Sequence, residues 1–192
     1  MIVMIGELPN SINLNGEEWS IRTHFQDVLK IIVAFGDPNL EANEKIYVCL
    51  KILYENFEDM TEDLYEIAFK SAIRFIDCEM PESKKGKYSA RTMDWEQDEK
   101  ILFPAINKIA GYEVRSVPYL HWWTFMGYFM EISTDGVFGN VLRLRQKKRN
   151  RKTPLDKAEK EFWSANRELC EIKPRLSEAE KENKEKLKQM LK

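Results

Sequence analysis

The stretch that decides the fold is Tyr119-Leu-His-Trp-Trp-Thr-Phe-Met-Gly-Tyr-Phe-Met-Glu-Ile132, which carries no charged side chain before Glu131. Wound as a helix, it is apolar on two sides, one with Trp122, Phe125, Met126 and Phe129 and the other with Leu120, Trp123, Gly127 and Met130. A helix that is apolar all round is buried on most sides, by its own domain or by another chain. We therefore expect most of these side chains in a core, with one face left for a partner. The candidates for partner contact are Trp122, Trp123, Phe125, Met126, Phe129 and Met130.

Helical periodicity continues on both sides of this stretch. Apolar residues recur at intervals of three and four in further segments, which predict helices near residues 25–35, 46–57, 61–75, 94–109, 137–152, 153–173 and 177–192. The exception is the segment 11–22, whose alternating apolar residues flank Asn15-Gly16 and predict a β-hairpin. The fold class that follows is mainly α, a multi-helix globular domain with a short N-terminal β-hairpin and a charged C-terminal helix.

Polar residues predict how some of these helices begin. Asp94, with Gln97 three residues later, is typical of a capping box at a helix start. Ser177 and Glu180 have the same spacing before the last helix. Pro104 is expected to kink its helix, because proline removes one backbone donor and crowds the preceding turn.

Composition divides the chain into four segments. Residues 1–80 hold the hairpin and the first helices. Residues 81–92 are small, basic and flexible, which is typical of a linker loop. Residues 93–173 form a C-terminal helical half that contains the aromatic helix, and residues 174–192 form a charged helical tail.

Residue types that carry catalytic and metal-site chemistry are sparse. Three cysteines without paired spacing and two histidines argue against a disulfide framework and a metal site. No glycine-rich phosphate loop or nucleophile motif is present. An acid–base site would need His121 to meet Asp94 or Asp98, whereas acids suit a helix start and a histidine beside tryptophans suits a backbone hydrogen bond. We expect no enzymatic activity, no metal and no cofactor.

No stretch has the features of a targeting or membrane segment. The longest uncharged run, residues 116–130, falls short of the ~20 apolar residues that a membrane span needs. Together with the scattered cysteines, this predicts a protein of a reducing cytoplasm.

Charge is divided unevenly along the chain. Residues 1–142 hold 13 basic and 23 acidic side chains, whereas residues 143–192 hold 17 basic and 9 acidic ones. The net charge of −2 therefore combines an acidic body with a basic C-terminal region. The densest basic run offers the candidates for charged contacts, which are Arg143, Arg145, Lys147, Lys148, Arg149, Arg151 and Lys152. These side chains suit an acidic protein partner or nucleic-acid phosphates.

Three motifs in the second half resemble a known family. In chain order they are Met93-Asp-Trp-Glu-Gln-Asp98, Leu120-His-Trp-Trp-Thr-Phe125 and Val141-Leu-Arg-Leu-Arg145. Their sequence and order resemble the gene-product-fifteen family of phages and prophages of Gram-positive bacteria. The first half fits as well, and the resemblance spans nearly the whole chain.

This resemblance implies a non-enzymatic tail assembly chaperone. Such proteins coat the long helical tape-measure protein in the bacterial host cytoplasm, help tail-tube subunits to polymerise around it, and then leave, so they are not expected in the mature virion. The implied partners are the tape-measure protein, the tail-tube protein and further copies of the chain, with no membrane partner and nucleic acid disfavoured. The alternative function is a nucleic-acid-associated phage or host regulator that uses the basic segment 143–152. The last helix, residues 177–192, is so poor in apolar residues that we expect it to be mobile or to dock on a neighbour.

Overall fold

The computed structural model of the chain describes residues 6–80, 92–150 and 153–190. The chain is mainly α-helical, with a two-stranded antiparallel sheet near the N-terminus, so the predicted fold class is confirmed. It divides into two compact units. The first unit comprises Met1–Met80, His121–Trp123 and Pro174–Lys192, and the second comprises Pro81–Leu120 and Thr124–Lys173. The predicted linker 81–92 lies outside the described residues, apart from Thr92.

The first unit begins with the predicted hairpin. Strands β1 (Ser11–Leu14) and β2 (Glu17–Ser20) pair around Asn15-Gly16, whose φ angles of 53° and 97° are those of a tight hairpin turn. The backbone N–H of Gly16 donates to the side-chain oxygen of Asn13 at 3.0 Å and closes the turn. One face of the hairpin is buried. Because two strands alone are marginal in water, the hairpin depends on this burial.

The helices of the first unit are all expected from the sequence. They are α1 (Phe25–Phe35), α2 (Ala42–Leu53), α3 (Tyr65–Ile76) and, at the C-terminal end, α9 (Glu178–Met190). However, α2 begins four residues before its predicted start at 46, and α3 begins four residues after its predicted start at 61. Helix α1 has the predicted bounds and ends at Gly36. The capping box before α9 is confirmed, because Ser177 and Glu180 exchange backbone-to-side-chain hydrogen bonds at 2.8 and 3.2 Å.

The prediction of one helix from 46 to 57 is wrong at its C-terminal end. Helix α2 stops at Leu53, and Tyr54 is extended with a ψ of 128°. The cause is the end of the hairpin, where Ile21 forms a β-bridge with Tyr54 and the N–H of Arg22 donates to the carbonyl of Leu53 at 2.7 Å. Phe57 remains buried, in a short 3-10 turn, which explains why its spacing matched the helix pattern.

The guanidinium of Arg22 caps the end of α2. One terminal nitrogen donates to the carbonyls of Ile52 and Tyr54 at 2.9 and 3.0 Å, and more weakly to that of Lys51 at 3.2 Å. The other reaches the carbonyl of Glu55 at 3.3 Å. The last carbonyls of a helix have no partner within the helix and carry partial negative charge. A fixed cation therefore stabilises them both by hydrogen bonding and by its charge.

The second unit contains the remaining helices. They are α4 (Glu99–Ala110), α5 (Trp122–Met130, from Thr124 onward), α6 (Val137–Arg149), α7 (Lys157–Ala165) and α8 (Arg167–Cys170). Helix α4 continues through Pro104 to Ala110. It begins after Asp98, four residues later than the predicted start at Asp94. The Asp94 carboxylate accepts the N–H groups of Glu96 and Gln97 at 3.0 and 3.1 Å and forms a turn before the helix.

A buried ion pair fixes the interior of the second unit. Arg145 and Asp98, whose side chains are 6% and 2% exposed, form two parallel hydrogen bonds of 2.7 Å. The guanidinium also donates to the backbone carbonyls of Thr92, Leu169 and Cys170 at 3.0, 2.6 and 3.0 Å. All five guanidinium N–H groups therefore have acceptors, which is the condition for a buried charge to be tolerated.

Replacement of Arg145 is expected to destabilise the protein severely. Arg145→Leu leaves the Asp98 carboxylate buried without its counter-ion, which costs about 3–5 kcal/mol in the free energy of unfolding. Urea denaturation followed by circular dichroism measures this loss. The matched control is Arg167→Leu, which breaks an exposed ion pair with Glu171 and should cost about 1 kcal/mol or less. Equal stability of the two variants would contradict the described role of Arg145.

Replacement of Arg22 is expected to loosen the end of α2. Arg22→Met keeps the aliphatic stem but leaves the carbonyls of 52 and 54 without their charged donor, which costs about 1–3 kcal/mol. Hydrogen exchange should rise first at the amides of Leu53 and Tyr54, while the amides of α3 change less. Uniform protection along α2 in the variant would rule out this capping role.

Candidate interaction surfaces

The two tryptophans that open α5 belong to the core of the first unit. Trp122 and Trp123 are 1% and 9% exposed. Their indole N–H groups donate to the backbone carbonyls of Ile76 and Phe75 at 2.8 and 2.9 Å. These carbonyls lie at the C-terminal end of α3, so the adjacent indoles cap that helix. Neither side chain offers accessible surface to a partner.

The rest of the aromatic helix belongs to the second unit and is buried to different depths. Phe125 is fully buried and lies near the rings of Trp95 and Phe103, with centroids 6.4 and 6.2 Å away. Phe129 is half-buried against Trp95 at 5.2 Å. Met126 is half-buried, and Met130 is 55% exposed. Of the six predicted partner residues, Met130 alone presents most of its surface to solvent.

His121 precedes the tryptophans and serves the backbone. Its Nδ1 accepts the N–H of Trp123 at 3.0 Å, so Nε2 carries the hydrogen and donates to the carbonyl of Pro9 at 3.0 Å. Burial lowers the pKa of His121 from its ordinary value of 6.5, because the interior disfavours a charged ring. This is the backbone-bonded alternative of the sequence analysis. Asp98 of the second unit is engaged by Arg145, as described above.

Two cations of the basic segment are paired with one acid of their own unit. The carboxylate of Glu159 on α7 accepts Lys147 at 2.6 Å and Arg143 at 2.7 Å. These two cations, together with the backbone N–H of Asp156, lower the pKa of Glu159 from 4.5 to about 2. The ammonium of Lys148 lies 3.8 Å from the ring centroid of Trp163, a cation–π contact.

The predicted charged-contact set therefore contains residues of different kinds. Arg145 is buried and cannot meet a partner. Arg143, Lys147 and Lys148 are held by internal contacts, and Arg149 also has an interaction partner. Arg151 and Lys152 lie outside the described residues. Sequence reasoning missed Glu159, whose capping position three residues after Asp156 was the available signal.

An apolar groove lies on the second unit between α4 and the start of α6. It has a volume of about 470 Å³. Its apolar lining includes Ile101, Pro104, Ile109, Ile132 and Val137. Charged side chains of both signs also line it, namely Lys108, Glu131 and Asp135. Val137 is 56% exposed, so the groove presents apolar surface to solvent.

Gly139, beside the residues that line this groove, permits close packing of α6 against the preceding loop. A Cβ atom at this position would lie 2.5 Å from the carbonyl oxygen of Ser133 and 2.6 Å from the Cα of Thr134. Both neighbours are backbone atoms, which cannot move aside as a side-chain tip can. The first turn of α6 therefore needs glycine to approach the loop before it.

The parts of the chain that the structure describes contain no group of three or more His, Cys, Asp or Glu side chains placed to hold a metal ion. None of their helices is both long enough and apolar enough to cross a membrane.

Acidification is expected to weaken the first unit through His121. Because its pKa is lower in the folded chain than in the unfolded one, the unfolded chain binds the extra proton more readily. The contribution to stability is complete above pH ~6.5 and is lost as the pH falls below that value. NMR titration of the imidazole resonances should give a pKa below 6.5 in the folded chain and an ordinary value in urea. A folded-state pKa at or above 6.5 would contradict this.

The comparisons with known proteins give one family. Searches of curated proteins and of solved structures found no match to the chain. A family model described as Bacteriophage Gp15 protein matches residues 4–172 of the 192, and so ends before α9 begins. The resemblance stated from the sequence is thereby confirmed, and the chain belongs to the bacteriophage Gp15 protein family, whose membership indicates a phage structural or morphogenesis protein.

Proposed function

We propose that this protein is a non-enzymatic tail assembly chaperone that binds the tape-measure protein of its phage. The observation that carries the proposal is the apolar groove between α4 and α6, which lies on a chain of a phage morphogenesis family. The resemblance described from the sequence implies a client that is long and helical. An amphipathic helix laid into a groove is a recurrent mode of recognition, in which apolar anchors supply most of the affinity.

The groove suits reversible binding of such a client. Its apolar lining would cover the hydrophobic stripe of a client helix, which otherwise drives aggregation. The side chains of Lys108, Glu131 and Asp135 offer both signs of charge. Such charges fix the register of the bound client helix more than they raise its affinity. Binding of many copies along one client would keep it soluble without ATP. Release would follow when tail-tube subunits, the second proposed partner, cover the same client surface.

The proposed setting follows from the same role. Assembly takes place in the host cytoplasm, and a chaperone that leaves during tube polymerisation is absent from the mature virion. No cofactor enters this mechanism.

Nucleic-acid binding through the segment 143–152 receives less support. Phosphate contacts require cations that can leave their present partners at small cost. Arg145 is buried in a fully hydrogen-bonded ion pair, and one carboxylate, Glu159, holds both Arg143 and Lys147.

The proposed function predicts that the groove controls the solubility of the client. Co-expression of the full chain with fragments of the tape-measure protein encoded by the same phage should raise the soluble yield of at least one fragment and lead to co-purification. Val137→Arg places a charge on the exposed side of the groove and should weaken co-purification about tenfold, as loss of one apolar anchor does.

The matched control is Met80→Arg. Met80 is 47% exposed, comparable to Val137, and does not line the groove. This variant should retain the wild-type yield of soluble client. Two results would overturn the proposal, namely no soluble fragment with the wild-type chain, or equal losses in both variants.

A further inference from the structure

Helix α9 (Glu178–Met190) is solvent-exposed along its whole described length. No residue in it is buried. Its first turn is held by the capping box of Ser177 and Glu180, and the N–H of Glu178 donates to the side-chain oxygen of Asn39 at 2.9 Å. Leu187 and Met190, nearer its other end, are 59% and 84% exposed. The helix is thus fixed at its start and presents apolar side chains to solvent.

One face of α9 carries a narrow apolar stripe. Ala179, Asn183, Leu187 and Met190 follow each other at intervals of four, four and three, so they lie on one side of the helix. Half-buried Leu176 precedes the stripe. This arrangement is nearly symmetric about Asn183, because apolar residues lie four and seven positions on either side of it.

The charges of α9 are divided between its two halves. Residues 178–182 contain three glutamates and one lysine, whereas residues 184–188 contain three lysines and one glutamate. The ion pairs within the helix, Lys181–Glu178 and Lys188–Glu185, join neighbours within each half and are largely exposed. Each half therefore keeps its net charge, negative at the start and positive toward the end.

We propose that α9 is a self-association surface on which α9 of a second copy lies antiparallel, centred on Asn183. In this orientation the acidic half of each helix faces the basic half of the other, and Leu187 of each copy covers Ala179 of the other. A parallel pair would place like charges side by side, which costs free energy at every contact. The antiparallel pair has two-fold symmetry, so both copies use the same surface.

The small size of this surface sets the strength of the pairing. Thirteen residues of helix extend about 20 Å, which gives an interface well below the ~1,200 Å² of a stable complex. Association is therefore weak, with a dissociation constant in the micromolar range or above. Because the charges are exposed, added salt screens their attraction.

Sedimentation of the purified full chain tests the pairing without any client. The wild-type chain should form dimers at high concentration and low salt. E178K/E182K makes both halves basic, and K184E/K186E makes both halves acidic. In each variant, the dissociation constant of the dimer should rise at least tenfold. An equimolar mixture of the two variants should dimerise again, which would show that α9 still forms in both. E62K/E161K, which changes the net charge by the same amount as E178K/E182K does but outside α9, should dimerise as the wild type does.

Disulfide cross-linking tests the orientation. In a C78S background, which removes the half-exposed cysteine, A179C and L187C chains should cross-link to each other when mixed and poorly to themselves. Self-cross-linking of L187C alone would indicate a parallel pair and overturn the proposal. A wild-type chain that stays monomeric at high concentration, or charge variants that dimerise normally, would overturn it as well. These outcomes leave the groove and its client untouched, because no client is present.

Discussion

The carbonyl groups that end a helix need donors, and for three helices of this protein, α2, α3 and α8, distant side chains are among them. Arg22 caps α2, and the paired indoles of Trp122 and Trp123 cap α3. In the second unit, Arg145 donates to the carbonyls of Leu169 and Cys170, which close the short helix α8. A buried carbonyl without a donor costs as much as a lost hydrogen bond. In both units, therefore, contacts between remote residues stabilise the ends of some helices, whereas α1 ends at Gly36 through local hydrogen bonds.

This constraint explains which parts of the fold the sequence could predict. Periodicity and turn chemistry are local, and they located the hairpin at Asn15-Gly16 and the bounds of α1 correctly. The end of α2 depends on the end of the hairpin, some 30 residues earlier, and no local pattern reveals that pairing. The recognition of the family depended on motifs spread over the chain, and the family match confirms it.

In the candidate interaction surfaces, too, local features could be predicted from the sequence, whereas features that depend on remote partners could not. Side-chain type identified Trp122 and Trp123 as buried or partner-facing, but the choice between these depends on acceptors in α3, 46 and 48 residues away. Arg145 has the local appearance of one cation among many in a solvated run. Its acceptor Asp98 lies 47 residues upstream and takes it into the interior. The close backbone approach at Gly139, next to the groove between α4 and α6, is likewise not revealed by spacing alone.

The twin tryptophans have a mechanical consequence. Two elements joined by a single hydrogen bond can still rotate relative to each other about that bond. Here two rigid donors from consecutive residues reach two consecutive carbonyls, and the backbone N–H of Trp122 donates to the carbonyl of Thr23 as a third contact at 2.7 Å. Within the first unit, these three hydrogen bonds restrict rotation at the entry of α5 more than a single bond would.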